Sequence, residues 1–326
     1  MINIFRVVLI VTLGLTSGSA ISESINSDSS SLCKDGISDY QQHKYRDATS
    51  KLKQAASKGC AEAAYYLGEL ERLSHTFMTQ KSEQWYRQAA AGGDVYAMVR
   101  LADADICAGL GDCDIDKDEW FQKALDIALP KAKSGDVAAM DALYSVYGKM
   151  GDEDNAWYWL KKAAEHGNAS SQYWVSHLIK NGYSFYWTDD GRMEDAIKWM
   201  RQSAEAGFPK AMVDLSYLYK DQDNLEKARY WVEQAGKTDY YVGIFNYGYS
   251  LYFGSEGMYK FSDDRKVEGF ATIIALYRET NDNSLKGMLQ RGREKLSADF
   301  LDAAEARAKD LLTDKPILYY DPKFGL

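Results

Sequence analysis

The stretch AWYWLKKAAEHGNASSQYWV, residues 156–175, holds the spacing that decides the fold. Trp159 lies eight residues before Gly167 and Ala163 four before it; Ser171 lies four after it and Val175 eight after it. Steps of four keep residues on one helix face, so the string reads as two helices meeting at a glycine. The spacing returns around Gly59, Gly93, Gly135 and Gly207, with Ala63, Ala97, Ala139 and Ala211 four residues on. Leu67, Leu101, Leu143 and Leu215 follow eight on, and the five glycines are 34, 42, 32 and 40 residues apart. Recurrence at this length is the mark of a helical repeat array, in which each unit buries its face on the next.

The helix before each glycine has its own anchors. Trp85 with Ala89, Trp159 with Ala163, Trp199 with Ser203 and Trp231 with Ala235 share one spacing, and Ala156, Ala196 and Ala228 stand three residues before their Trp. A large ring set against small residues fills the gap between closely approaching helices, so these Trp residues read as core. The third unit departs, because Trp120 lies fifteen residues before Gly135. Seven extra residues are close to two helical turns, which lengthens the helix and keeps its phase. Pro130 falls inside the extension and is expected to bend or break it, leaving a protruding helix. In the sixth unit Asp239 replaces the glycine, followed by Gly243, Tyr247 and Gly248 at the later anchors. Residues 266–280, 284–295 and 297–312 read as three further helices, the last capped by Ser297, which close the array. Residues 315–326 read as a tail along that cap.

The unit Ala156-x-x-Trp159-x-x-x-Ala163-Ala164-x-x-Gly167, followed by a small residue and a hydrophobic one four and eight positions on, resembles the Sel1-like repeat, a relative of the tetratricopeptide repeat. The resemblance runs from about residue 32 to 312. The family's leucine-glycine pair survives as Leu67-Gly68 and loosely as Tyr247-Gly248, and its glycine-rich loop with a following valine is missing. It implies an all-α fold, a right-handed superhelical solenoid of antiparallel helical hairpins with a C-terminal helical cap. It also implies a protein-binding adaptor, often exported in bacteria. The expected organisation is a signal peptide over 1–20, a disordered leader over 21–31, the array over 32–263, and capping helices and tail over 264–326.

The leader is read from Arg6, the apolar run from Val7 to Leu15 and the small residues Gly18-Ser19-Ala20. That run is shorter than the 20 or so residues that cross a bilayer, so no stable membrane insertion is expected after cleavage. Export makes disulfides the expectation for Cys33, Cys60, Cys107 and Cys113. Three pairings are possible. Cys107 and Cys113 flank a short loop, and Cys33 and Cys60 open successive equivalent helices. The chain of 326 residues has a net charge of −9 and no Lys/Arg run, which argues against nucleic acid as a partner.

Signatures of catalysis are absent. His43, His75, His166 and His177 fall in different units, and no nucleophile elbow or phosphate loop occurs. Asp112, Asp114, Asp116 and Asp118 alternate like the start of a calcium loop, but Lys117 and Lys123 stand where glycine and glutamate are needed. Helix capping explains these acids, and neither metal nor cofactor is expected. Aromatic residues carry more. Nine of the 22 residues from Tyr240 to Phe261 are Tyr or Phe, and Phe185-Tyr186-Trp187 sits in a polar connection. Phe185, Tyr186, Trp187, Tyr240, Tyr241, Tyr249 and Tyr252 are the candidate partner contacts. The function expected from the resemblance is a non-enzymatic periplasmic binding protein. Its specific form is an immunity protein that neutralises a phospholipase or lipase effector of type VI secretion. The alternatives are a secreted or surface factor that binds host proteins and, more remotely, a cell-wall or β-lactam hydrolase.

Overall fold

A computed structural model of the chain describes residues 30–75, 77–103, 117–313, 315–321 and 323. The expected signal peptide, Cys107, Cys113 and the alternating aspartates up to Asp116 lie outside the described residues. Helix α1 covers 30–41, so residues 30 and 31, read as leader, are already helical. Then come α2 (Tyr45–Ser57), α3 (Ala61–Leu73), α4 (Gln80–Ala91), α5 (Val95–Ala102), α6 (Lys117–Lys133) and α7 (Val137–Met150). The chain continues through α8 (Glu153–Glu165), α9 (Ala169–Lys180), α10 (Asp189–Glu205), α11 (Pro209–Asp221), α12 (Leu225–Gly236) and α13 (Tyr241–Phe253). Helices α14 (Lys266–Thr280), α15 (Asn283–Lys295) and α16 (Ala298–Ala308) complete it. From α2 to α14 each helix packs chiefly on its neighbours in sequence, which is the connectivity of a solenoid, and α16 folds back onto α14.

The glycine ruler marks one turn, made five times. Gly59, Gly93, Gly135, Gly167 and Gly207 all have φ between +87° and +98°, a left-handed conformation that a side chain strains. The residue after each glycine donates its N–H to a carbonyl five residues back: Cys60 to Ala55, Asp94 to Ala89, Asp136 to Lys131, Asn168 to Ala163 and Phe208 to Ser203. That bond and the glycine's own to the residue three back form a Schellman C-cap. The same following residue then starts the next helix. Asp94, Asp136 and Asn168 accept from the N–H three residues on at 2.9, 3.0 and 2.8 Å, and Pro209 takes the first helical position in α11. Two residues therefore end one helix and begin another, which explains why the spacing is rigid. The anchors are buried as their spacing requires: Ala63, Ala97, Ser171, Ala211, Leu101, Leu143, Val175 and Leu215 are all fully inaccessible.

Two expectations are corrected. Helix α6 runs through Pro130 without interruption. The helix ends three residues later, so the missing N–H removes a bond only in its final turn. Trp120 packs on the N-terminal core, as expected of the repeat's Trp residues, with the Lys123 ammonium 4.4 Å above its ring. The tail follows the cap only at its start, where Ile317 is buried among the capping helices, and then leaves it. Residues 315–321 leave α16 and return to the start of the chain, where the N–H of Tyr319 donates to the Gln41 carbonyl at 2.8 Å.

Among the cysteines in the described residues, Cys33 and Cys60 form a disulfide that ties α1 to the first residue of the α3 turn. No helix in the described residues is long and apolar enough to cross a membrane.

Candidate protein-binding surfaces

The connection between α9 and α10 is held at both ends. Gly182 ends α9 with φ +91°, and Thr188 caps α10 by accepting from the Gly191 N–H at 3.1 Å. Within it the Tyr183 ring packs 4.9 Å from Trp157, and the Tyr186 hydroxyl donates to Asp195 at 2.6 Å. Phe185 and Trp187 point the other way, 78% and 92% exposed, with ring centroids 5.1 Å apart at right angles. A fixed backbone thus holds two large rings in water. Little order is lost if a partner covers them.

The other candidate aromatics separate into three settings. Tyr249 is exposed and packs at a tilt against Phe253, with centroids 4.5 Å apart, beside a cavity of about 330 Å³ lined also by Tyr217, Phe245 and Met258. Tyr252 packs on Phe270 between α13 and α14, so its ring belongs to the core. Tyr240 is buried and Tyr241 half-buried, because the C-terminal segment lies over both. These two line an inner face and not an open surface.

That inner face is built from the starts of the second helices. A ladder of hydroxyls and carboxylates links one to the next. Tyr96 and Ser171 donate to Asp141 at 3.1 and 2.6 Å, and Tyr173 donates to Asp214 at 3.1 Å. Tyr241 donates to Asp282, and Tyr320, from the tail, to Asp239 at 2.7 Å. Sequence reading missed the ladder because most of its members, Tyr96, Asp141, Tyr173 and Asp214 among them, sit outside the glycine spacing; the recurrence of Tyr and Asp near helix starts was the available signal. Burial, with Asp214 and Asp321 adding to it, pushes the Tyr240 phenol up to about 12. Tyr173, Tyr241 and Tyr320 are raised in the same direction, chiefly by burial. A phenol whose folded pKa exceeds its ordinary value of 10 contributes stability that is complete below pH 10 and lost as pH rises through the folded value. The urea midpoint followed by circular dichroism should therefore be level from pH 8 to 10 and fall steeply by pH 12. A midpoint unchanged at pH 12 would contradict the burial of these rings.

His75 Nδ1 lies 2.8 Å from the Ser74 hydroxyl and 2.9 Å from the Glu71 carbonyl. Among the described residues no three His, Cys, Asp or Glu side chains gather to hold a metal ion.

No family model matches the chain. An F-box protein of Arabidopsis thaliana is 30% identical over 96 residues, which are 29% of this chain and 26% of that protein. The matched stretch is thus about a quarter of that relative. Among solved structures, a protective antigen present in uropathogenic Escherichia coli strains and displaying an SLR fold is 19% identical at a TM-score of 0.46. The match covers 80% of this chain and 55% of that one, about half its length. A Sel1 repeat protein from Oxalobacter formigenes is 19% identical at a TM-score of 0.40, over 72% of this chain and 96% of that one. By its own recurring turns and anchors, this chain is an all-α array of helical repeats.

Proposed function

We propose that the chain is a non-catalytic array that binds a protein partner. The observation that carries this reading is the Phe185 and Trp187 pair, two exposed rings on a backbone pinned by Gly182 and Thr188. Isolated apolar side chains on a surface need no explanation, but paired aromatics on a rigid loop are the usual anchors of an interface. Replacing both (Phe185→Ala with Trp187→Ala) should weaken partner binding at least tenfold and leave the melting temperature within about 1 °C, since neither ring supports the core. Isothermal titration and thermal melts measure the two. Equal affinity for the double variant would refute the reading.

The narrower form is an exported immunity protein that blocks a phospholipase or lipase effector of type VI secretion. It is supported by the N-terminal apolar run, the Cys33–Cys60 bridge and the net charge of −9. Deleting the gene should sensitise cells to attack by sibling cells, and the purified chain should inhibit the effector at equimolar ratio. Undiminished lipase activity in the presence of excess chain would remove this form while leaving the broader one standing.

A further inference from the structure

The segment 315–321 crosses the inner face, extended around Leu318 and turned at Tyr320, whose φ is +54°, and each of its contacts is one that a separate peptide could make. Leu318 pairs with the glycine-free sixth turn: its N–H donates to the Asp239 carbonyl at 2.8 Å and its carbonyl accepts from the Tyr241 N–H at 2.9 Å. At the opposite end of the array the Gln41 amide brackets the backbone of one residue, Asp321. Its Nε2 donates to the Asp321 carbonyl at 2.9 Å, and its Oε1 accepts from the Asp321 N–H at 2.8 Å. Bonds of this kind read backbone, whichever side chains it carries.

The side chains add a pattern. Tyr319 stacks between His43 and Tyr241, with centroids 3.8 and 4.9 Å away. Tyr320 meets Tyr240 edge-on, and the Asp321 carboxylate sits 2.8 Å from His43 Nε2. The Lys323 ammonium lies 3.0 Å from Glu62, 3.6 Å from Asp94 and 5.0 Å above the Tyr96 ring. Beside the strand a cavity of about 330 Å³, walled by Tyr173, Trp174 and Phe208, is left unfilled. A larger side chain than those of the tail fits there.

We propose that the inner face is a receptor for an extended polypeptide in which an aliphatic residue precedes two adjacent aromatics, a carboxylate and, two residues later, a cation. The chain's own C-terminal strand is the resident occupant, and a partner's segment of the same chemistry displaces it. The surface is distinct from the Phe185 and Trp187 loop, and the test makes no use of that loop. A tethered segment acts at an effective concentration of about millimolar, so the resident strand suppresses weak competitors. Only a segment that fits better, or that arrives with contacts elsewhere, gains the site.

The test uses the full chain with a specific protease site inserted after Thr313, folded intact and then cut. The probe is a fluorescent peptide of residues 315–326, read by anisotropy, with circular dichroism showing that the helices persist after cutting. The cut protein should bind one probe per chain. The uncut protein should bind it at least about tenfold more weakly, as a tethered competitor requires. A probe carrying Tyr319→Ala and Asp321→Ala should bind the cut protein at least tenfold more weakly than the natural sequence. Equal binding by cut and uncut protein would overturn the proposal, as would equal binding of a scrambled probe. So would a cut protein that loses its own strand and takes up no probe, or one whose strand never exchanges.

Discussion

Glu69→Ala should cost about 3–5 kcal/mol of stability, because it removes a carboxylate on which a buried charge cluster converges. Glu69 is 4% and Arg100 6% exposed. Arg100 donates to both Glu69 oxygens at 2.6 and 3.1 Å, Arg72 donates at 2.8 Å, and the Tyr86 hydroxyl donates at 2.8 Å. Removing one partner of such a cluster leaves charge in the interior with its main counter-charge gone. The charge-free double replacement, Glu69→Leu with Arg100→Met, should cost much less, since it removes the cluster instead of breaking it. Urea unfolding of the two variants separates the cases. A loss below about 1 kcal/mol for Glu69→Ala would mean that the site is wet.

The second large loss is expected from the Cys33–Cys60 bridge. Cross-linking residues 27 apart lowers the entropy of the unfolded chain, which corresponds to about 3–4 kcal/mol. The variant should be Cys33→Ala with Cys60→Ser, because Cys60 Sγ also accepts from the Ala63 N–H at 3.4 Å and a serine keeps that cap. In a repeat array each unit is stabilised by its neighbours, so the loss should fall first on α1 and α2 and reach the C-terminal helices weakly. Thiol reductant should lower the urea midpoint of the natural chain by clearly more than that of the variant. A natural chain indifferent to reductant would contradict the bridge.

The parts of the fold that were legible in sequence were those made by local chemistry. A turn that needs φ > 0 at one residue and an N-cap at the next writes both into the chain, and the five glycines were found for that reason. Ser297 announced the last helix in the same way, accepting from the Phe300 N–H at 3.3 Å. Pro130 misled because its effect depends on how soon the helix ends after it, and the Gly135 turn ends this one three residues on. The path of the tail beyond Ile317 was illegible for a different reason. Gln41 and Asp321 are 280 residues apart, and no local signal connects them. Of the candidate contacts, aromatic density singled out Phe185, Trp187 and Tyr249. It could not separate them from Tyr252, which faces Phe270, or from Tyr240, which lies beneath the strand. Density counts rings; it does not say which side of a helix another segment covers.

The strand joins both ends of the account, since it completes the sixth turn where glycine is missing and closes the array onto its first helix. Hydrogen exchange of the full chain reads it directly. The Leu318 and Tyr319 amides, which donate to Asp239 and Gln41, should exchange at least about 100-fold more slowly than their intrinsic rates. Exchange of both at the intrinsic rate, with the α13 amides still protected, would contradict it.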